Sequence, residues 1–104
     1  TEKTVAAATE GWGMDGNYVH PTNNAGADAW PISGATYIIM YRNPDKPAQA
    51  VEVLKFFDWA YRNGDKMALE LDYVPMPDAM VKRIESYWTA FKDPSGKQLW
   101  TGGK

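Results

Sequence analysis

The sequence has 104 residues, of which 44% are hydrophobic and 23% are charged, so it allows one small globular domain and argues against disorder over most of its length. Its formal net charge of −2 at pH 7 argues against a nucleic-acid-binding protein, which normally presents a basic face. The absence of cysteine excludes disulfides, thiolate catalysis and thiolate metal sites.

The first ten residues, TEKTVAAATE, predict a short helix over residues 2 to 9, which Thr1 or Thr4 can cap. They lack the basic start and the apolar middle of a signal peptide. Because the first residue is Thr, we expect a processed chain or a piece of a longer protein. The longest apolar run, at residues 35–41, is far shorter than the ~20 residues that span a bilayer.

Residues 11 to 34 are rich in Gly, Asn, Pro, Asp and Thr and are predicted to form a long loop. Such loops are uncommon in compact domains and often carry function. Three aromatic residues lie in it, Trp12, Tyr18 and Trp30. Two interpretations stay open: these rings stack on a sugar or a partner, or they anchor the loop to a core.

A strand is predicted over Ala35 to Arg42, where β-forming residues follow one another without alternation. That pattern is typical of a strand covered on both faces, as in an α/β sheet. Asn43, Pro44 and Asp45 form a predicted turn. Since one strand cannot make a sheet alone, we expect a piece of a larger α/β body or an associating fragment.

Three helices are predicted in the second half of the chain, over Pro47 to Arg62, Asp65 to Leu71 and Pro77 to Phe91. In the first of them, apolar residues recur at helical spacing and predict a buried stripe. Four charged residues are expected opposite that stripe: Glu52, Lys55, Asp58 and Arg62. The aromatic residues Phe56, Phe57, Trp59 and Tyr61 are predicted to belong to the core.

Two turns complete the prediction. Asn63 and Gly64 are expected to close the first long helix with a left-handed cap. A turn is expected over residues 93–96, followed by a frayed C-terminal TGGK.

The segment Ser33-Gly34-Ala35-Thr36 raises the question of an anion site, because its backbone N–H groups and hydroxyls resemble a nest. No helix follows it directly, so the field of a helix terminus is missing. A turn that begins the predicted strand is the favoured interpretation. Gly96-Lys97 does not have the spacing of a phosphate-binding loop.

No other residue pattern carries chemistry. His20 is the only histidine, so a catalytic triad or a multi-histidine metal site is not available, and we expect a surface histidine and no enzyme. Five loop residues carry oxygen atoms of the kind that calcium prefers, but their spacing does not match an EF-hand, and they are better explained as turn formers. These residues are Asp15, Asn17, Asn23, Asn24 and Asp28.

Several longer motifs carry a resemblance to a known family. They are AWPI at 29–32, EVLKFFDWAY at 52–61, LDYVPMPDAMVKRI at 71–84 and DPSGKQLW at 93–100, together with TEKTVAAA at the start. Over nearly its whole length the sequence resembles the C-terminal part of the PstS-type phosphate-binding proteins of ATP-binding-cassette importers.

The resemblance implies an α/β fold: a C-terminal fragment of a two-lobed type-II periplasmic binding protein, helix-rich with one main buried strand. Residues 1–28 would be the end of the second lobe and a loop, and residues 29–104 the return crossing and the C-terminal portion of the first lobe. It implies a periplasmic protein with inorganic phosphate and a membrane permease as partners of the full-length parent, and no cofactor.

The family's arginine-containing phosphate motif has no match here, and Ser33-Gly34-Ala35-Thr36 carries an inserted Ala relative to the family's Ser-Gly-Thr loop. We therefore assign no catalytic, phosphate-binding or metal residue to this chain. An alternative stays open: an autonomous helical module for interaction or self-association, without ligand binding.

Overall fold

The fold was analysed in a computed structural model, which describes residues 2–8, 22–23 and 25–102. The helices of this part of the chain are α1 (Glu2–Ala8), α2 (Pro47–Asn63), α3 (Asp65–Glu70) and α4 (Asp78–Tyr87). A 3₁₀ turn, Trp88–Ala90, continues α4. The four predicted helices are therefore confirmed, with ends that differ by at most four residues.

Helix α2 begins where proline is best tolerated, with Pro47 in the first turn, where its missing N–H is not needed. Lys46 precedes it and makes no side-chain cap hydrogen bond. The buried residues Ala50, Leu54 and Asp58 are spaced four apart and form the face that packs inward.

Gly64 joins α2 to α3, and the left-handed cap predicted there is wrong. Gly64 has φ −90° and ψ −10°, which is right-handed. Its N–H donates to the carbonyl of Ala60 at 2.7 Å, and its carbonyl accepts from the N–H of Ala68 at 2.9 Å. Glycine suits this position because an added Cβ would stand 2.5 Å from the Ala60 oxygen.

The core is small and centres on Leu54, which is fully buried against Trp88 and Trp100. The two indole rings meet edge to face with their centroids 5.0 Å apart, an arrangement that aromatic pairs prefer. Around them pack the half-buried side chains of Met40, Phe57, Tyr61, Ile84 and Phe91. The core thus ties α2, the 3₁₀ turn and the C-terminal segment together.

Helix α4 follows Pro77, whose carbonyl accepts from the N–H groups of Met80 and Val81 at 2.8 and 3.0 Å. The regular helix ends at Tyr87, and the tighter turn after it places Trp88 in the core. The long helix predicted to Phe91 is thus an α-helix that tightens in its last turn, as helix ends often do.

The turn predicted at residues 93–96 is confirmed. Asp93 Oδ1 accepts hydrogen bonds from the Ser95 hydroxyl, the Ser95 N–H and the Lys97 N–H, at 2.6, 2.8 and 2.9 Å. The chain then folds back on itself, with an antiparallel bridge between Lys92 and Gln98. Gly96 takes φ +84°, which glycine adopts without steric cost.

The buried strand predicted over Ala35–Arg42 is wrong for this chain. The segment has no regular secondary structure, and Ile39 and Tyr41 are 93% and 85% exposed. A strand requires neighbours that complete its hydrogen bonds. At the end of the segment, Lys92 N–H donates a hydrogen bond to the Arg42 carbonyl at 3.0 Å.

In the described part of the chain, no helix has the length and apolar character to cross a membrane.

Candidate functional site

A groove of about 320 Å³ lies between residues 36–42 and the helices α2 and α4. Its lining is mostly apolar and includes Ile38, Met40, Phe57, Met80, Ile84 and Phe91. Tyr61 also lines it, and burial raises the pKa of its hydroxyl, with the charge of Glu85 as the second cause. Such a lining favours contact with apolar side chains, and Arg42 is the one basic residue among the described residues that line it.

A charged cluster joins α2 to α4 beside this groove. Arg62 Nε and Nη2 each lie 2.8 Å from Asp58 Oδ1, and Nη2 lies 3.4 Å from Glu85 Oε1. Burial raises the pKa of Glu85, a hydrogen bond with Asp58 adds to this, and the charge of Arg62 opposes it. The guanidinium of Arg62 thus compensates the two carboxylates, and the three charged side chains connect α2 to α4.

The sequence placed Asp58 on the solvent face, and this is wrong, because Asp58 is buried. Its position four residues after Leu54 and eight after Ala50 was the signal that indicates burial. Arg62, four residues further on, provides the charge that a buried carboxylate needs.

A second cavity, of about 600 Å³, opens between α2 and the C-terminal segment and contains two cations, Lys55 and Arg62. Lys55 Nζ pairs with Glu52 at 2.8 Å, and Arg62 pairs with Asp58 and Glu85. An anion in this cavity would compete with carboxylates for both cations, so the cavity is poorly suited to phosphate.

The groups of the Ser33–Thr36 segment are used to fold the loop. Ser33 Oγ donates to the carbonyl of Trp30 at 2.8 Å, and the carbonyl of Ser33 accepts from Thr22 Oγ1 at 3.0 Å. Gly34 is not in the left-handed region that a nest requires. These contacts favour the turn interpretation.

The structure describes only some of the other candidate residues of the predicted loop. Six of these candidates lie outside the described residues: Trp12, Asp15, Asn17, Tyr18, His20 and Asn24. Among the described residues, Asn23 takes φ 56° and Asp28 is exposed. No three histidine or carboxylate side chains of the described ranges lie close enough to hold a metal ion.

The aromatic residues of α2 divide between core and surface. Phe57 and Tyr61 pack against the core, as predicted. Phe56 and Trp59, also predicted to be core, are 59% and 50% exposed and stack on each other with centroids 6.3 Å apart. Trp30 is exposed as well, so it does not anchor its loop to the core.

Comparison with known proteins gives one consistent result. The phosphate-binding protein PstS of Pasteurella multocida is 39% identical over 98 residues, covering 92% of this chain and 28% of that protein. The PstS proteins of Xylella fastidiosa and Haemophilus influenzae are each 45% identical, over 66% and 64% of this chain. No protein-family model matches the sequence.

These matches confirm the resemblance that the motifs indicated. The chain spans only 19% to 28% of the length of these relatives. It is therefore similar to a segment of these proteins and not to a whole one.

Proposed function

We propose that this chain is a segment of a PstS-type protein, a periplasmic substrate-binding protein that captures inorganic phosphate for an ATP-binding-cassette importer. The observation that carries the proposal is the identity of 39% to 45% with three proteins named for phosphate binding. An identity of 39% over 98 residues favours a shared fold for that segment and a shared role within the whole protein.

In this proposal the segment is a scaffold, and the phosphate ligands lie in parts of the protein that it does not contain. The geometry of the described residues supports this assignment of the phosphate ligands to other parts of the protein. The two cations of the larger cavity are held by carboxylates, and the hydroxyl of Ser33 is held by a backbone carbonyl. Bare phosphate is bound best by backbone N–H groups and uncompensated cations, which these places do not offer.

The layout implied by the resemblance stands as part of the proposal. Residues 1–28 end the second lobe, and residues 29–104 contain the return crossing and the C-terminal portion of the first lobe. Phosphate would bind in the cleft between lobes and be released to a membrane permease after hinge opening. The protein would work as a carrier in phosphate transport and not as an enzyme.

A chimera tests the proposal. This chain replaces the matched 98-residue region of the Pasteurella multocida protein, and phosphate binding is measured by isothermal titration calorimetry. We expect one-to-one binding by the chimera, at the affinity of the unsubstituted protein within about tenfold, and none by the 104-residue chain alone.

Two further results decide the details. A chimera carrying Ser33→Ala and Thr36→Val should bind phosphate like the parent chimera, because neither hydroxyl is a ligand in this proposal. A folded chimera that binds no phosphate would contradict the function. Tight one-to-one binding by the isolated chain would contradict the assignment of the ligands to other parts of the protein.

A further inference from the structure

Asn63 is directly followed by Gly64, and no other asparagine of the sequence precedes a glycine. Asparagine is among the thermolabile residues of proteins, because its side-chain amide can be lost by deamidation. A following glycine makes this reaction easiest, since without a Cβ its backbone N–H is unshielded and its backbone bends freely. Asn63 is exposed, so water and hydroxide can reach it.

The reaction at this pair of residues needs only water and hydroxide. Hydroxide removes the proton of the Gly64 N–H, and the nitrogen attacks Asn63 Cγ. The N–Cγ bond forms, the Cγ–Nδ2 bond breaks, and the Nδ2 group takes a proton from water and leaves as ammonia. Water then opens the five-membered imide at either of its two carbonyls, which leaves aspartate or isoaspartate at position 63.

The junction between α2 and α3 holds both reacting groups in other contacts. The Gly64 N–H donates to the carbonyl of Ala60 at 2.7 Å, so this hydrogen bond must break before the nitrogen can attack. Asn63 Nδ2 donates to the carbonyl of Trp59 at 2.9 Å, which holds the side chain along the last turn of α2. The Gly64 carbonyl accepts from the N–H of Ala68 at 2.9 Å, so α3 also resists rotation of the glycine.

We propose that Asn63 is a deamidation site that the α2–α3 junction keeps closed, and that it reacts when the last turn of α2 opens. Helix ends open more readily than buried helical turns, so local opening gives access without unfolding of the whole chain. The inference goes beyond the proposed function, since it holds whether or not the whole protein binds phosphate.

The product cannot restore the closed junction. A carboxylate at position 63 lies at the C-terminal end of α2, where the helix dipole disfavours negative charge. It also lacks the N–H that now donates to the Trp59 carbonyl. Isoaspartate adds a carbon to the backbone between α2 and Gly64, which displaces the Gly64 N–H from the Ala60 carbonyl. Deamidation thus makes a transient opening permanent.

The test follows the conversion of Asn63 by mass-spectrometric peptide mapping at mildly alkaline pH. The reference is a synthetic peptide of residues 59–66, in which the pair has no helix junction around it. We expect conversion in the 104-residue chain to be at least about tenfold slower than in the peptide. Equal rates in chain and peptide would overturn the proposal, and so would a peptide that does not react.

Two variants of α2 locate the opening. Ala60→Gly loosens the last turn without altering a reacting atom and should speed conversion about fivefold. The matched Ala48→Gly makes the same change in the first turn of α2 and should leave the rate unchanged. Equal acceleration by the two variants would overturn the proposal, because the opening would then involve the whole chain. Asn63→Gln should abolish the conversion.

A second pair of variants tests the effect of the product. Asn63→Asp carries the charge of the aspartate product and should lower the urea midpoint of the chain. Asn43→Asp adds the same charge in an exposed position before α2 and should leave the midpoint unchanged. Equal midpoints for the two variants would refute the claim that deamidation keeps the junction open.

Discussion

Replacement of Leu54 by Ala should remove a large part of the stability of this chain. Leu54 is the one described side chain of large volume that is fully buried, and its neighbours in the core are Trp88 and Trp100. Leu→Ala changes in cores cost about 2–5 kcal/mol, the higher values where surroundings cannot collapse into the cavity. Because the two rings are rigid, we expect about 3–5 kcal/mol here.

The assay is urea denaturation followed by tryptophan fluorescence, since the indoles of Trp88 and Trp100 lose their buried environment on unfolding. The matched control is Val53→Ala, one position earlier on α2, where the side chain is 40% exposed. That change should cost less than about 1 kcal/mol. Equal losses for Leu54→Ala and Val53→Ala would refute the assignment of the core.

The remaining predictions concern the helix junction and the charges. Gly64→Ala should destabilise the chain by about 1–3 kcal/mol in the same urea assay, because the new Cβ would collide with the carbonyl of Ala60; an unchanged midpoint would contradict this. The pKa of Glu85 is raised, chiefly by burial, so its contribution to stability is complete below the ordinary pKa and is lost as pH rises through the raised value. Glu85→Gln should therefore flatten that decline in the free energy of unfolding, and an unaltered pH profile would argue against it. The pKa of Asp93 is lowered, chiefly by a hydrogen bond from the neighbouring serine hydroxyl, so its contribution is present above the ordinary pKa and is lost as pH falls through the lowered value. Asp93→Asn should flatten this acid limb, with Asp78→Asn as the comparison. Arg62→Gln should raise the pKa of Glu85 further, as read from its carboxyl chemical shift, and an unchanged pKa would show that the pair is not formed in solution.

The helices were predictable because their signals are local. Pro47 at the start of α2, the spacing of its apolar residues and the prolines before α4 each act within one or two turns of the chain. The turn at Asp93 is local too, since its carboxylate bonds only to residues two and four positions ahead. Short-range interactions of this kind can be read from the order of residues alone.

Only part of the geometry of the candidate site could be predicted from the sequence. A single histidine and no cysteine restrict the chemistry before any coordinates are known. The pairing of Arg62 with Asp58 was visible as an i, i+4 spacing, but the participation of Glu85 was not, because it comes from another helix 23 residues further along. The pairing of the cations with Glu52 and Asp58 is therefore local to α2, and only the contribution of Glu85 is a tertiary property.

The sequence by itself determined the helices, the turn at Asp93 and the similarity to PstS-type proteins, because local propensity and the order of residues are enough for each. Only the tertiary structure decided that Asp58 is inside, that Phe56 is outside and that Gly64 stays right-handed. It also decided that residues 35–42 form no strand here, because a strand is completed by hydrogen bonds to neighbouring strands and the described residues contain no strand beside it.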